Sequence, residues 1–119
     1  QQTRDYEQLV GLCARQAMAG QKVWQGAVEL RVRIFVAPTA SWPAWKMNQV
    51  NAGELMPTTK PDLDNVLKSI KDAMNKIVYV DDSQVVSVVM DKRYGDNDRV
   101  EVTAWLMMSK AIQQATRAA

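Results

Sequence analysis

Residues 60–94, KPDLDNVLKSIKDAMNKIVYVDDSQVVSVVMDKRY, decide the fold and contain most of the candidate chemistry. Pro61 biases the residue before it towards an extended conformation, so a helix is expected to begin at Asp62. From there, apolar residues recur at helical spacing and predict one buried stripe. The stripe consists of Val66, Leu67, Ile70, Ala73, Met74 and Ile77.

Charged residues in this stretch have a spacing that suits a catalytic site. Asp62 and Asp64 stand at the helix entrance, where an extended or capping conformation lets both carboxylates turn the same way. Lys68 follows Asp64 by four residues, so its ammonium group is expected one turn above that carboxylate. Asp81 and Asp82 come after the helix as an adjacent pair.

The chemistry of these residues favours a hard divalent cation. Carboxylates that are brought together repel one another unless a cation compensates them, and oxygen ligands suit Mg²⁺ or Mn²⁺. The chain has no histidine, so hydrolysis would depend on a metal-activated water, a carboxylate or a lysine. Each motif also has a structural interpretation, because Asp-x-Asp before a helix is most often a cap and Asp-Asp between strands is most often a turn.

The combination of KPDLDNVLKSIKDAMN, IVYVDDSQVV and DKRYG resembles the RusA-type Holliday junction resolvases, which are small phage and bacterial endonucleases. This resemblance implies that Asp62, Asp64 and Asp82 bind Mg²⁺, with Mn²⁺ as a substitute, and that Lys68 is the catalytic lysine. It also implies a homodimer that cleaves branched DNA, the four-way junction, during recombination and repair. The expected location is the cytoplasm of a bacterial or phage-infected cell, with a prophage as one source.

Composition predicts a single domain over residues 1–119, with 47% hydrophobic residues and a net charge of +2. The near balance of charges is a weak argument for nucleic acid, although metal ions that mask several aspartates would leave a basic surface. No apolar run reaches membrane-spanning length, so no membrane partner is expected. Family members usually carry one more strand before the first helix, and we expect this chain to lack that strand and to expose a sheet edge.

Two further segments predict helices. Residues 3–19 predict a first helix, and residues 109–119 predict a short terminal one. The expected inner face of the first helix consists of Tyr6, Leu9, Val10, Cys13, Ala17 and Met18.

Strand patterns complete the predicted fold. Residues 25–37 alternate as a half-buried strand, and residues 78–80 predict a short strand. Residues 85–94 and 99–107 are expected to form an antiparallel hairpin around the turn cluster at 95–98. This order predicts an α+β domain with a small mixed or antiparallel sheet and two main helices packed on it.

Residues outside the motif predict contacts with DNA. In a long loop insertion over residues 37–59, Trp42, Trp45 and Lys46 are suited to stacking on unpaired bases and binding a phosphate. The alternative, that both tryptophans pack the loop onto the body or a second subunit, stays open. The other candidate DNA-binding residues, for which a solvated surface is the alternative, are Arg31, Arg33, Lys60, Lys92 and Arg93.

The sequence therefore leaves three functions open. The first is the junction resolvase, the second a non-catalytic junction-binding or architectural protein that retains the motif, and the third an unrelated domain with a structural cation. Nicking that depends on Mg²⁺ distinguishes the first from the second. A lack of preference for branched DNA would favour the third.

Overall fold

The structure, a computed structural model, describes residues 2–107, with side chains from residue 5 onward. The predicted helix over residues 109–119 lies outside the described residues. No helix among those described is long and apolar enough to cross a membrane. The main elements, in chain order, are α1 (Gln2–Met18), β1 (Val28–Val36), α2 (Ala44–Asn51), α3 (Leu63–Met74), β2 (Val85–Tyr94) and β3 (Arg99–Leu106), with a short 3-10 helix (Asp82–Gln84) before β2.

β1 is the central strand of a three-stranded sheet with the order β2-β1-β3. β2 pairs with β1 in parallel, and β3 pairs with it antiparallel. The alternating apolar residues of β1, from Val28 to Ile34, are at most 2% exposed, so this strand forms the floor of the core. The predicted α+β class with a mixed sheet is confirmed.

α1 and α3 pack on the same face of the sheet, as two main helices were predicted to do. Ile70 and Met74 of α3 and Met18 of α1 are buried with the apolar residues of β1. The predicted stripe of α3 is confirmed, since Val66 and Leu67 also pack against this core. The helix therefore directs its opposite, polar face to solvent.

The predicted hairpin between β2 and β3 is wrong, because β1 lies between these strands. The connecting loop passes over the end of β1, where the Gly95 amide donates to the Val36 carbonyl (3.0 Å) and the Ala37 amide donates to the Asp98 carboxylate (2.7 Å). Any Cβ at Gly95 would lie 2.8 Å from the Phe35 ring, so the crossing needs a glycine. A turn signal shows that the chain reverses, but not that the two strands are neighbours in the sheet.

Part of the predicted inner face of α1 is not buried. Leu9 is 59% exposed and Cys13 is also exposed, contrary to the prediction. Both line a largely apolar groove of about 970 Å³ between α1 and β3. Helical periodicity identifies the apolar side of a helix but not how wide the sheet beneath it is. Here the sheet ends at the edge strand β3, so part of the apolar side of α1 stays uncovered.

Residues 78–80 do not form the predicted strand. The Lys76 amide donates to the Tyr79 carbonyl (2.7 Å), which closes a turn, and Tyr79 makes an isolated β-bridge to Trp24. Val78 and Tyr79 are 3% and 0% exposed. This apolar run therefore fills the core rather than extending the sheet.

The segment 37–59, predicted as a loop, contains the helix α2. This helix has no buried residue. It consequently lacks the apolar periodicity that would have predicted it.

Gln84 ties the turn after α3 to the residues before β1. Its side-chain oxygen accepts hydrogen bonds from the Val80 amide (2.8 Å) and the Asp81 amide (3.0 Å). Its side-chain nitrogen donates to the carbonyls of Trp24 (2.8 Å) and Gly26 (2.9 Å). We call these contacts the Gln84 clasp; because every partner is a backbone group, the clasp fixes the path of both segments.

Replacing Tyr79 by Phe is expected to make stability less sensitive to alkaline pH. The hydroxyl donates to the Lys71 carbonyl (2.9 Å), and burial above all raises its pKa from the ordinary 10.0. Above that pH the unfolded chain loses a proton that the folded chain keeps. The free energy of unfolding should then fall by roughly 1.4 kcal/mol per pH unit in the wild type.

Urea denaturation between about pH 9 and pH 11 tests this prediction. The stability advantage of the wild type over Tyr79→Phe should shrink as the pH rises. The control Tyr94→Phe, at a half-exposed position, keeps Tyr79 and should lose stability with rising pH as the wild type does. A difference between wild type and Tyr79→Phe that stays constant with pH would contradict it.

Replacing Gln84 by Ala is expected to lower the free energy of unfolding by roughly 1–2 kcal/mol, because two amides lose an acceptor and two carbonyls lose a donor, and water can replace the side chain at the exposed ones. Urea denaturation checks the value. Gln25→Ala, at an exposed position beside Trp24, is the matched control and should have little effect. A loss of less than about 0.5 kcal/mol in Gln84→Ala would show that the clasp contributes little.

Candidate active site

Asp64, Lys68 and Asp82 line one cleft on the surface of the helical layer. α3 supplies Asp64 and Lys68 one turn apart, and the 3-10 helix before β2 supplies Asp82. The cleft has a volume of about 210 Å³. A water molecule occupies roughly 30 Å³ in the liquid, so the cleft has room for a hydrated ion. The fold thus brings together three of the residues that the resemblance implies.

Asp62, the remaining member of that set, is not among the residues that line the cleft. It is the N-cap of α3, with the extended backbone angles φ −74° and ψ 141°, yet its side chain accepts no capping hydrogen bond from the described residues. Its carboxylate is exposed. The structural interpretation of Asp62 as a hydrogen-bonding cap therefore fails, and this carboxylate is available to another partner.

Asp81 and Asp82 have different environments although they are adjacent. The Asp81 carboxylate accepts a hydrogen bond from the Ser83 amide (2.9 Å) and caps the 3-10 helix. Hydrogen bonds from the Ser83 hydroxyl and amide lower the pKa of Asp81. The turn interpretation thus holds for Asp81, while the half-buried Asp82 lines the cleft.

Asp72 and Lys71 also line the cleft, although neither of them was predicted to have a role. Asp72 follows Lys68 by four residues and Asp64 by eight, so helical spacing alone could have identified it. The charges of Asp82 and Asp72 add to burial in raising the pKa of Tyr79. The carboxylates therefore create a negative potential beside the end of α3.

The salt bridges among residues 5–107 lie on the sheet face that points away from the helices. They join Arg31 to Glu29 (3.6 Å), Arg33 to Asp91 (3.6 Å), Arg93 to Asp91 (3.0 Å) and Arg99 to Glu101 (3.0 Å). Within the described residues, no salt bridge involves a side chain of the cleft. Its carboxylates are thus not engaged in these ion pairs and can contact a cation from solution.

The donor set fits a hard divalent cation, but not one held in a closed cage. The cleft offers carboxylate oxygens, and the chain has no histidine. In the part of the chain that the structure describes, no three Asp, Glu or Cys side chains converge into a complete metal cluster. Mg²⁺ commonly binds one or two carboxylates, keeps several waters and shares other positions with a substrate phosphate, so an open cleft suits it.

The candidate DNA-binding arginines lie on the open face of the sheet. Arg31 is 4.9 Å from the centre of the Trp105 ring, and its neighbour Glu29 compensates its charge. Arg33 and Arg93 share the carboxylate of Asp91. A role for these arginines in binding DNA stays a prediction.

The candidate lysines have three different environments. The Lys92 ammonium donates to the carbonyls of Thr59 and Pro61, so it holds the chain that leads into α3. Lys46 lies 3.9 Å from the centre of the Trp42 ring, and Lys60 is exposed. The contact made by Lys92 favours a structural role, and DNA contacts by Lys46 and Lys60 stay predictions.

Comparison with known proteins identifies the family. Residues 1–104 match the family model described as Endodeoxyribonuclease RusA. The chain is 38% identical to the uncharacterized protein YqaN of Bacillus subtilis (strain 168) over 99 residues, which are 82% of this chain and 69% of that protein. It is 41% identical to the crossover junction endodeoxyribonuclease rusA of Lactococcus phage r1t over 78 residues, 63% of this chain and about half (51%) of the phage protein. The resemblance seen in the motif thus extends along most of the chain, which belongs to the RusA endodeoxyribonuclease family.

Proposed function

We propose that this protein is a Mg²⁺-dependent, structure-specific endonuclease that resolves four-way DNA junctions by paired symmetric cleavage in recombination and repair. The observation that carries the proposal is the cleft that unites Asp64, Lys68 and Asp82. The family supports the reaction class, and the name of the phage relative supports a branched substrate.

In this proposal Asp64 and Asp82 would hold the metal ion from the cleft, and Asp62, which does not line the cleft, would be recruited as a further ligand. The exposed carboxylate of Asp62, without a capping hydrogen bond from the described residues, is free to take that role. When bound, Mg²⁺ orients the scissile phosphate and lowers the pKa of a coordinated water, and Mn²⁺ can substitute for it. The Gln84 clasp and the Asp81 cap hold the backbone of Asp82 in place.

Lys68 stabilises charge that develops during cleavage. Its exposed side chain lines the cleft one turn from Asp64, and no described carboxylate forms a salt bridge with it. An ammonium group acts here as a point charge that neutralises a phosphate oxygen or the leaving oxygen. Its effect should therefore be larger in the transition state than in the bound substrate.

The substrate also supports a homodimer. A four-way junction is nearly two-fold symmetric, and its resolution needs two matched nicks. An isologous dimer presents two equivalent clefts related by the same symmetry. Such a substrate places the activity in the cytoplasm of a bacterial or phage-infected cell.

Asp64→Asn and Asp82→Asn are each expected to slow junction cleavage by roughly 100-fold or more while folding and junction binding persist. The amide keeps the shape of the side chain but removes the charge that a Mg²⁺ ligand needs. The measurement is Mg²⁺-dependent cleavage of a labelled four-way junction beside a linear duplex of the same sequence.

Asp96→Asn is the matched control, since it makes the same chemical change at an exposed position between β2 and β3. Normal cleavage by Asp82→Asn would remove Asp82 from the active site. Wild-type protein that binds the junction but never cuts it, in Mg²⁺ or in Mn²⁺, would contradict the proposed activity. That result would favour the non-catalytic junction-binding protein.

Lys68→Ala is expected to slow cleavage by roughly 10²–10³-fold and to change junction affinity by less than about threefold, because the lysine acts mainly on the transition state. Single-turnover cleavage and equilibrium binding measure the two effects separately. Lys22→Ala, at an exposed position between α1 and β1, is the control. Equal losses of rate and affinity in Lys68→Ala would reduce Lys68 to a phosphate contact.

A further inference from the structure

The two tryptophans of the segment 37–59 have different environments. Trp42 packs edge-on against Tyr94, with 5.5 Å between ring centres and 78° between ring planes, and Lys46 covers its face at 3.9 Å. Trp45 is 63% exposed. Of the two interpretations that the sequence leaves open, packing onto the body accounts for Trp42 but not for Trp45.

The core does not explain why α2 carries an exposed indole. None of the residues of α2 is buried, so the helix has no apolar face packed against the sheet. Short helices of this length gain little stability from their backbone alone. Large apolar groups presented by such an element are typical of a contact surface.

Both ends of the segment that contains this helix are held by contacts near the entrance of α3. Tyr94 contacts Trp42 near the start of the segment, and the Lys92 ammonium binds the carbonyls of Thr59 and Pro61 at its end. Both contacts come from the last residues of β2. Because Pro61 directly precedes Asp62, the element that carries Trp45 is anchored beside the Asp62 end of the candidate active site.

The composition of the segment fits a nucleic acid better than a protein partner. The segment 37–59 has one lysine, Lys46, which belongs to α2, and one carboxylate, Glu54, which lies three residues after the end of α2. Asn48, Gln49 and Asn51 of α2 add neutral hydrogen-bonding groups. α2 itself, with an exposed indole and no carboxylate, presents no charge that would repel a phosphate backbone.

We propose that α2 is a base-stacking element: the indole of Trp45 stacks on an unpaired nucleobase at the branch point of DNA, and Lys46 neutralises the adjacent phosphate. This inference rests on the proposed function, because base stacking is interrupted at the branch point and a base pair there can open so that one base stacks on the indole. Linear duplex, whose bases are all paired, engages only the lysine.

The test combines Trp45→Ala and Trp45→Phe with two four-way junctions, one intact and one with abasic nucleotides flanking the branch point. On the intact junction, Trp45→Ala should lower affinity about tenfold and Trp45→Phe less than about threefold. The affinity of both variants for linear duplex should change little. On the abasic junction wild type and Trp45→Ala should bind equally, since the ring has lost its partner. Leu12→Ala, which removes another exposed apolar side chain (61% exposed) from α1, should leave binding to either junction unchanged.

Equal affinity of Trp45→Ala and wild type for the intact junction would overturn the inference, as would equal losses on junction and duplex. A change from dimer to monomer in Trp45→Ala, measured by sedimentation, would also overturn it and assign Trp45 to a subunit contact. A single-stranded oligonucleotide separates this inference from the proposed function. If the wild type shows no preference for junctions but Trp45→Ala weakens binding to the oligonucleotide, the stacking role holds and the junction function fails. If the wild type cleaves junctions selectively and Trp45→Ala binds junction and oligonucleotide as tightly as the wild type does, the junction function holds and the stacking role fails.

Discussion

The carboxamide of Gln84 satisfies backbone groups of two distant chain segments at once. Its oxygen binds the amides that lead into the aspartate pair, and its nitrogen binds the carbonyls of Trp24 and Gly26 just before β1. Only a side chain with a donor and an acceptor in one planar group can do both. The segment that carries Asp82 is thereby tied to the residues just before β1, and α3 is buried in the same core as β1, so both sides of the cleft are positioned by independent contacts.

Charge is distributed differently on the two sides of the domain. The open face of the sheet pairs each of its described arginines with a carboxylate, an arrangement that contributes only about 0–1 kcal/mol per exposed pair. The cleft contains carboxylates and lysines without such pairs among the described residues. Within residues 5–107 these charged side chains form no salt bridge that would stabilise the fold, so their presence at one place is better explained by binding than by stability.

Sequence patterns predicted correctly those helices and strands that are determined by residues close together in the chain. The stripe of α3, the alternation of β1 and the bounds of β2 were all confirmed, because each is set by residues close together in the sequence. The hairpin was wrong because strand neighbours are decided by tertiary contacts, here the passage of Gly95 over the end of β1.

The same division applies to the candidate site. The placement of Asp64 and Lys68 on one side of α3 followed from their spacing. The placement of Asp82 beside them was implied only by the family resemblance, because it depends on how the turn after α3 folds back on the helix. The role of Gln84 had no sequence signal, because its partners at residues 24 and 26 are distant along the chain.

Tyr94 and Lys92 hold the two ends of the segment between β1 and α3 close together, Tyr94 by its contact with Trp42 and Lys92 by its hydrogen bonds to Thr59 and Pro61. A change in the length of the chain between these two contacts should therefore have little effect on the position of Asp62. Doubling such a loop costs only about 0.6 kcal/mol in closure entropy. The stretch between Trp42 and Thr59 can consequently change in length, by insertion or deletion, at little cost to the backbone that carries Asp62 and α3.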